Sequence, residues 1–368
     1  MINLKTLIIK NGHFSKGPKH LPNSLRVLEW HRYPSLSIPS NFYQKKLSIC
    51  KLGESCFTTF ELHGSLKVCV NEYISLILYT KTILTFIIVL IFQKFVNMRE
   101  LNLDNCKYLT HIFDVSCLPN LEKNSFRHCE NLTTIDSSVG FLNKLKIIRA
   151  DGCLKLMSFP PIELTSLQRL ELSFCDGLEC FPEILGEMEN ITEIVLEGTS
   201  IEELSYSFQN LTRLQKLQIR WSGILRLPSS ILMMPKLSYI LVEGILLLPN
   251  KNDNLSSSTS SNVEILRLPN CNLSDEFLQT SLAWFANVIH LDLSRNSFTI
   301  LPEFIKECHF LITLNLNDCT CLREIRGIPP NLKRLSALQC ESLSSSCRRM
   351  LLNQVFFSSF RIIWLIIS

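Results

Sequence analysis

Fifteen cysteines and eight histidines are the residues of this chain best equipped for chemistry. Metal binding would call for clustered ligands such as Cys-x-x-Cys, and that spacing does not occur; the close pair is Cys319 and Cys321. The histidines are scattered, and none sits in a recognisable nucleophile motif. Gly12 to Lys19, GHFSKGPK, approaches a phosphate-binding loop in the separation of its two glycines, but Pro18 precedes the lysine and no Ser or Thr follows it. A turn is the better reading there. Five Asn-x-Ser/Thr sites, at Asn131, Asn190, Asn210, Asn254 and Asn272, would accept glycans in a secreted protein. The reading assigns no catalytic residue, no metal and no cofactor, and points away from an enzyme.

Seven cysteines share a regularity that leads to the elements holding them. Cys106, Cys129, Cys153, Cys175, Cys271, Cys319 and Cys340 each stand three residues after the last apolar residue of a recurring phrase. The phrase is an apolar residue, two others, an apolar residue, one other, an apolar residue. It recurs eleven times, starting at Met98, Leu121, Leu145, Leu167, Ile191, Leu214, Leu237, Val263, Val288, Leu311 and Leu332, at gaps of 21 to 26 residues. That is the leucine-rich-repeat period. The fold class is therefore α/β: a curved, horseshoe-like solenoid with one short parallel strand per repeat.

The phrase has a physical reading. In LQRLELSFC, Leu167, Leu170 and Leu172 face inward, and the last two are separated as a strand requires. One such strand cannot bury its apolar face alone, so neighbours about 4.8 Å apart stack into a continuous core. In the return segment after Pro182, Ile184, Leu185 and Met188 give a short helical face inward. Weaker phrases at Leu4, Leu25 and Leu47 keep the same period. The cysteines then read as a ladder of small buried thiols where each strand turns, reduced and in a reducing compartment.

Composition agrees with a packed protein: 46% hydrophobic, 19% charged and a net charge of +4. That balance gives no reason to invoke nucleic acid. Two stretches break the pattern. Tyr73 to Phe92 has the length of a membrane span with Lys81 near its middle, and Val355 to Ser368 is apolar but too short to span. The chain thus divides into N-terminal repeats (1–62), an apolar non-repeat insertion (63–94), the main array (95–344) and a tail (345–368) that is apolar from 355.

Outward strand positions are the candidates for binding a protein partner. Arg127, Arg149, Glu171, Phe174, Glu197, Arg220 and Trp221 form the most feature-rich stretch, with Arg267, Asp292 and Arg295 further on. Arg and Trp are favoured at interface hot spots, and aromatics on the outer face call for a use. Salt bridges between neighbouring strands, such as Arg149 with Glu171, are the alternative reading of the charged members.

Gly17 to Ser35 (GPKHLPNSLRVLEWHRYPS), Asp114 to Lys146 (DVSCLPNLEKNSFRHCENLTTIDSSVGFLNKLK) and Phe181 to Ile219 carry more than leucine spacing. They resemble the leucine-rich-repeat region of plant disease-resistance proteins that bear an N-terminal Toll/interleukin-1-receptor domain and a central nucleotide-binding domain. The resemblance covers roughly 1–62 and 95–353. It implies an intracellular immune receptor, cytoplasmic or nuclear, in which the repeats sense a pathogen effector or a guarded host protein and restrain a nucleotide switch. The nucleotide-binding and Toll-type domains have no counterpart here, so neither nucleotide binding nor nicotinamide dinucleotide cleavage is implied, and the product reads as a fragment. The apolar tracts lack counterparts too, and read as translated intron, a membrane span or an irregular loop. A generic intracellular scaffold and a membrane-anchored receptor remain the other readings of function.

Overall fold

In the computed structural model, the structure describes residues 3–39, 41–42, 46–60, 95–247, 261–280, 282–357 and 362–364. The candidate span Tyr73 to Phe92, the whole of the insertion, Asn254 and residues 358–361 and 365–368 of the tail lie outside them. The chain forms two compact units, Met1–Leu178 with Pro182–Asn190, and Glu179–Phe181 with Ile191–Ser368.

The first unit contains strands β1 (Thr6–Ile9), β2 (Val27–Trp30), β3 (Ile49–Lys51), β4 (Thr59–Phe60), β5 (Glu100–Asn102), β6 (His111–Ile112), β7 (Lys123–Ser125), β8 (Thr134–Ile135), β9 (Ile147–Arg149) and β10 (Arg169–Glu171). β1, β2, β3, β5, β7, β9 and β10 form one parallel sheet, and β4, β6 and β8 a second. The main sheet is in strict register: Leu28, Cys50, Leu101, Asn124, Ile148 and Leu170 are successive partners, all buried. β3 pairs directly with β5, and β4 with β6, so both ladders run from residue 60 to residue 100 without a missing rung.

The second unit contains β11 (Glu193–Glu197), β12 (Lys216–Arg226), β13 (Tyr239–Leu247), β14 (Ile265–Arg267), β15 (His290–Asp292), β16 (Ile300–Leu301), β17 (Thr313–Asn315), β18 (Glu324–Ile325), β19 (Arg334–Ser336) and β20 (Ile362–Trp364). All but β16 and β18 form one parallel sheet; those two pair with each other. Two α-helices, α1 (Asp275–Thr280) and α2 (Ser345–Phe357), and short 3-10 turns fill the returns. No helix among the described residues is long and apolar enough to cross a membrane.

Each of the eleven phrases supplies a strand that begins two residues after its first apolar residue, as expected of a parallel-strand solenoid. Three details differ from expectation. At Leu121 the second apolar place is Asn124, which is 1% exposed with neither amide atom hydrogen-bonded. The return around Ile184 is not helical: Ile184 makes a parallel bridge to Ile162, Met188 is buried, and Leu185 is 46% exposed. Backbone pairing to the previous return replaces the helix there. Finally, β12 and β13 are not short; they run through the turn into the return segment.

The turn after each strand is built the same way. Seven residues past the first apolar residue, the backbone is left-handed in every repeat: Asn11, Arg32, Glu54, Asn105, His128, Gly152 and Phe174 in the first unit, and Gly198, Trp221, Gly244, Asn270, Arg295, Asp318 and Gln339 in the second. Most carry side chains that such a conformation disfavours by about 1–2 kcal/mol. What compels it is the ladder: Asn105 N–H donates to Arg127 O at 2.7 Å, His128 to Asp151 at 2.7 Å, and Arg295 to Asn317 at 2.8 Å.

The next residue closes the turn, and the seven regular cysteines stand there. Each thiol donates to a carbonyl of the preceding repeat, as Cys129 does to Leu103 O at 3.2 Å and Cys153 to Phe126 O at 3.2 Å. All seven are free and buried. Asn296 takes this place in its repeat. Its amide donates to Leu268, Leu293 and Ser294 carbonyls, and its oxygen accepts from Cys271 and Leu273 N–H groups at 3.0 Å.

Candidate partner-binding faces

Outward side chains of the first unit's main sheet form cross-strand ion pairs. Lys10 reaches Glu29 at 2.9 Å, and Lys51 reaches Glu100 at 2.9 Å. Glu122 sits between Lys146, at 2.8 Å, and Arg99, and hydrogen bonds from the two hold its carboxyl below the usual range. Arg127 turns to Asp104, at 3.1 Å, rather than toward Arg149. Asp104 also accepts from Ser125 Oγ at 2.6 Å and Arg127 N at 2.9 Å. Arg149 Nε lies 3.1 Å from Glu171 Oε2, an ion pair without hydrogen-bond alignment, and Arg169 approaches the same carboxylate at 3.4 Å. Beside them Asp151 accepts from Ser173 N; burial and then the nearby charge of Glu171 push its carboxyl up to about 6. Phe174 follows at the left-handed position, 44% exposed.

The second unit carries the remaining candidates. Arg220 Nη1 lies 3.5 Å from Glu197, and Trp221 comes next, at the left-handed position and 59% exposed. Arg267 and Asp292 are register neighbours on β14 and β15 but do not form an ion pair; Arg267 instead lies over the Tyr239 ring, 6.0 Å from its centroid. Asp292 accepts from Ser294 N and Asn315 Nδ2, both at 3.0 Å. Arg295 faces Asp318 at 3.5 Å across two turns.

The geometry thus joins Arg149 with Glu171 and Glu197 with Arg220, and sends Arg127 and Arg295 to acids that sequence reasoning did not single out. Asp104, Asp318, Tyr239, Lys216 and Arg334 were missed on these faces. An acidic residue one place before the left-handed position, as at Asp104, was the available signal.

Reactive chemistry is muted. Burial pushes the thiols of Cys50, Cys106, Cys271 and Cys319 up to about 12. Those of Cys117, Cys308 and Cys340 rise to about 11 for the same reason. Thiols so protonated are poor nucleophiles at neutral pH. Among the described residues no group of three or more His, Cys, Asp or Glu is placed to hold a metal. Gly12 to Lys19 forms turns between β1 and β2 with no helix to receive a phosphate. Sequon amides are engaged: Asn131 Nδ2 donates to Lys107 O and Asn190 Nδ2 to Thr165 O, both at 2.7 Å, and Asn272 Oδ1 accepts from Ser297 Oγ at 3.0 Å.

Stacked parallel strands on this phrase define a leucine-rich-repeat solenoid. The match to known proteins is more specific: residues 163–349, just over half the chain, fit the leucine-rich-repeat family of RPS4B-like disease resistance proteins, and the chain belongs to that family. It is 30% identical over 366 residues to TMV resistance protein N of Nicotiana glutinosa, covering 86% of this chain and 30% of that protein. Disease resistance-like protein DSC1 of Arabidopsis thaliana is 27% identical, with 94% and 31% covered. The chain therefore spans less than a third of the length of these relatives. Among solved structures, YopM from Yersinia enterocolitica is 18% identical, with 94% of this chain and 66% of that chain covered at a TM-score of 0.47; the fold rests on the strand ladders rather than on this likeness.

Proposed function

We propose that this chain is a protein-recognition module of a plant intracellular immune receptor, which senses a pathogen effector or a guarded host protein through its outward strand and turn side chains. One observation carries the reading. Phe174 and Trp221 are large aromatics held in a left-handed backbone conformation and largely exposed. Asn or Gly would fill the same turn at lower conformational cost, so the turn itself does not call for an aromatic there. Exposed aromatics beside arginines are the usual anchors of protein interfaces. Membership of the disease-resistance family names the process, and the unoxidised thiol ladder suits a reducing compartment.

The test is a pull-down from plant extract with the wild-type chain and with Arg149, Phe174 and Trp221 all changed to Ala. Loss of captured proteins from the variant is expected. Phe174 and Trp221 are exposed and Arg149 is half-buried in an ion pair with Glu171, so the variant's urea unfolding midpoint should fall only modestly. An unchanged set of partners would overturn the reading.

A further inference from the structure

The second unit holds a cleft of about 480 Å³ on its strand face, running from Arg267 on β14 to Arg334 on β19. Its floor is Ile265, His290 and Thr313, with the His290 ring tied to Thr313 Oγ1 at 2.7 Å. Most cations on these faces already have carboxylate partners. Arg267 and Arg334 differ: among the described residues neither is in an ion pair, although both are exposed. Two uncompensated guanidinium groups thus mark the two ends of one groove.

We propose that this cleft binds an extended acidic peptide segment, with one carboxylate at Arg267 and another at Arg334. The proposal rests on the protein-recognition reading above and adds the chemistry of the partner. Arg267 is in register with Asp292, Asn315 and Ser336, whereas Arg334 is in register with Thr313 and His290, so the two positions lie three strand steps apart across the sheet and two residues apart along it, about 16 Å in all. An extended chain rises about 3.4 Å per residue, so acids five residues apart span that distance. Guanidinium forks match carboxylates in two-pronged geometry. Asp292 and Glu264 lie between and beside the arginines. Their charge repels a continuous polyanion such as a nucleic acid backbone but accommodates two discrete acids joined by neutral residues.

The experiment uses the full chain and immobilised decapeptides of Ala and Ser carrying two Glu residues at separations of one to six, with Gln-substituted controls. The separation of five should be retained at least tenfold better than the Gln control and better than a separation of one or two. Arg267→Gln with Arg334→Gln should abolish the preference. Arg267→Glu with Arg334→Glu should instead favour a Lys pair at the same separation, a gain that misfolding would not produce. Equal retention of all separations, or a preference that survives the Gln variant, overturns the proposal. Tighter retention of a single-stranded oligonucleotide overturns it in favour of nucleic acid. If the Gln control binds as well as the Glu peptide, the acidic assignment falls while the wider reading stands; that reading fails separately, on the pull-down.

Discussion

The repeats that begin at Leu121 and Val288 close their turns on a thiol or an amide, whereas those at Ile191, Leu214 and Leu237 have Thr199, Ser222 and Ile245 at the same place. In the first kind, Cys129 or Asn296 bonds back to the previous repeat, and the strand is three residues long. In the second kind, Thr199 Oγ1 and Ser222 Oγ are buried without a partner, and Ile245 is 43% exposed. Their strands run to five, eleven and nine residues. β12 and β13 stay paired through the turn by a bulge in which Trp221, Ser222 and Gly223 oppose Gly244. A Cβ at Gly244, whose φ is +139°, would come within 2.5 Å of Ser222 O, so the bulge depends on that glycine. In these five repeats a bonded closing side chain goes with a short strand, although β2, whose closing Tyr33 hydroxyl is buried and unpaired, also stops at four residues. In β11, β12 and β13, where that bond is missing, buried backbone groups find partners by prolonging the ladder.

The strongest way to break this contrast is at Asn296. Replacing it with Ala strands the N–H groups of Cys271 and Leu273 and three carbonyls, and should cost about 3–5 kcal/mol, read as a fall in urea unfolding midpoint. Asn296→Cys restores the donor to Leu268 and should cost less; equal losses would show that the closing bond to the previous repeat contributes little. Within the regular repeats, Asn124 is a buried side chain with neither amide atom hydrogen-bonded. Asn124→Leu, between Leu101 and Ile148 in register, should raise stability by about 1–3 kcal/mol, checked by the same midpoint.

A matched pair sharpens the comparison. Cys129→Ala should cost about 1–2 kcal/mol through the lost thiol bond and a small cavity. Ser222→Ala removes an unpaired hydroxyl and should be neutral or slightly stabilising. Similar losses from both would mean that the closing place matters by volume alone.

Asp151 adds a pH dependence. Its carboxyl is raised in the folded state to about 6, so the folded protein holds that proton more tightly than the unfolded chain. The sign follows from linkage: this contribution favours folding at low pH and is lost as pH rises from the usual carboxylate range through 6. Asp151→Asn should flatten the stability profile over that window, measured by thermal unfolding at a series of pH values. Glu171→Ala should flatten it in part, by removing the neighbouring charge.

Much of the scaffold was legible because burial imposes a rigid spacing. The strands follow each first apolar residue by two places, and the regular cysteines are buried where the phrase put them. The rear strands were not, since elements of two residues such as β6 and β8 carry no periodicity. The left-handed turn position was hidden for a different reason. Its occupants include His128, Phe174, Trp221 and Arg295, none of which signals positive φ. β20 was masked by its surroundings: Phe360, Ile363 and Leu365 repeat the phrase within a stretch that is apolar nearly throughout. Of the candidate site, Arg149 with Glu171 could be read because both lie at one strand place in adjacent repeats. The Arg127–Asp104 pair could not, because it forms across the turn.

A consequence lies in who holds the left-handed residue in shape. Its conformation is imposed by main-chain bonds to the following repeat, so the strain is much the same whether the side chain is Asn105, Arg295 or His128. Substitution there changes what the protein displays while leaving the main-chain bonds in place. Repeats that already carry a side chain at this place, unlike those with Gly152 or Gly244, thus offer one site where new recognition chemistry can be sampled by point mutation without a matching change elsewhere, and a lineage pursued by a changing antagonist gains variation at little structural risk.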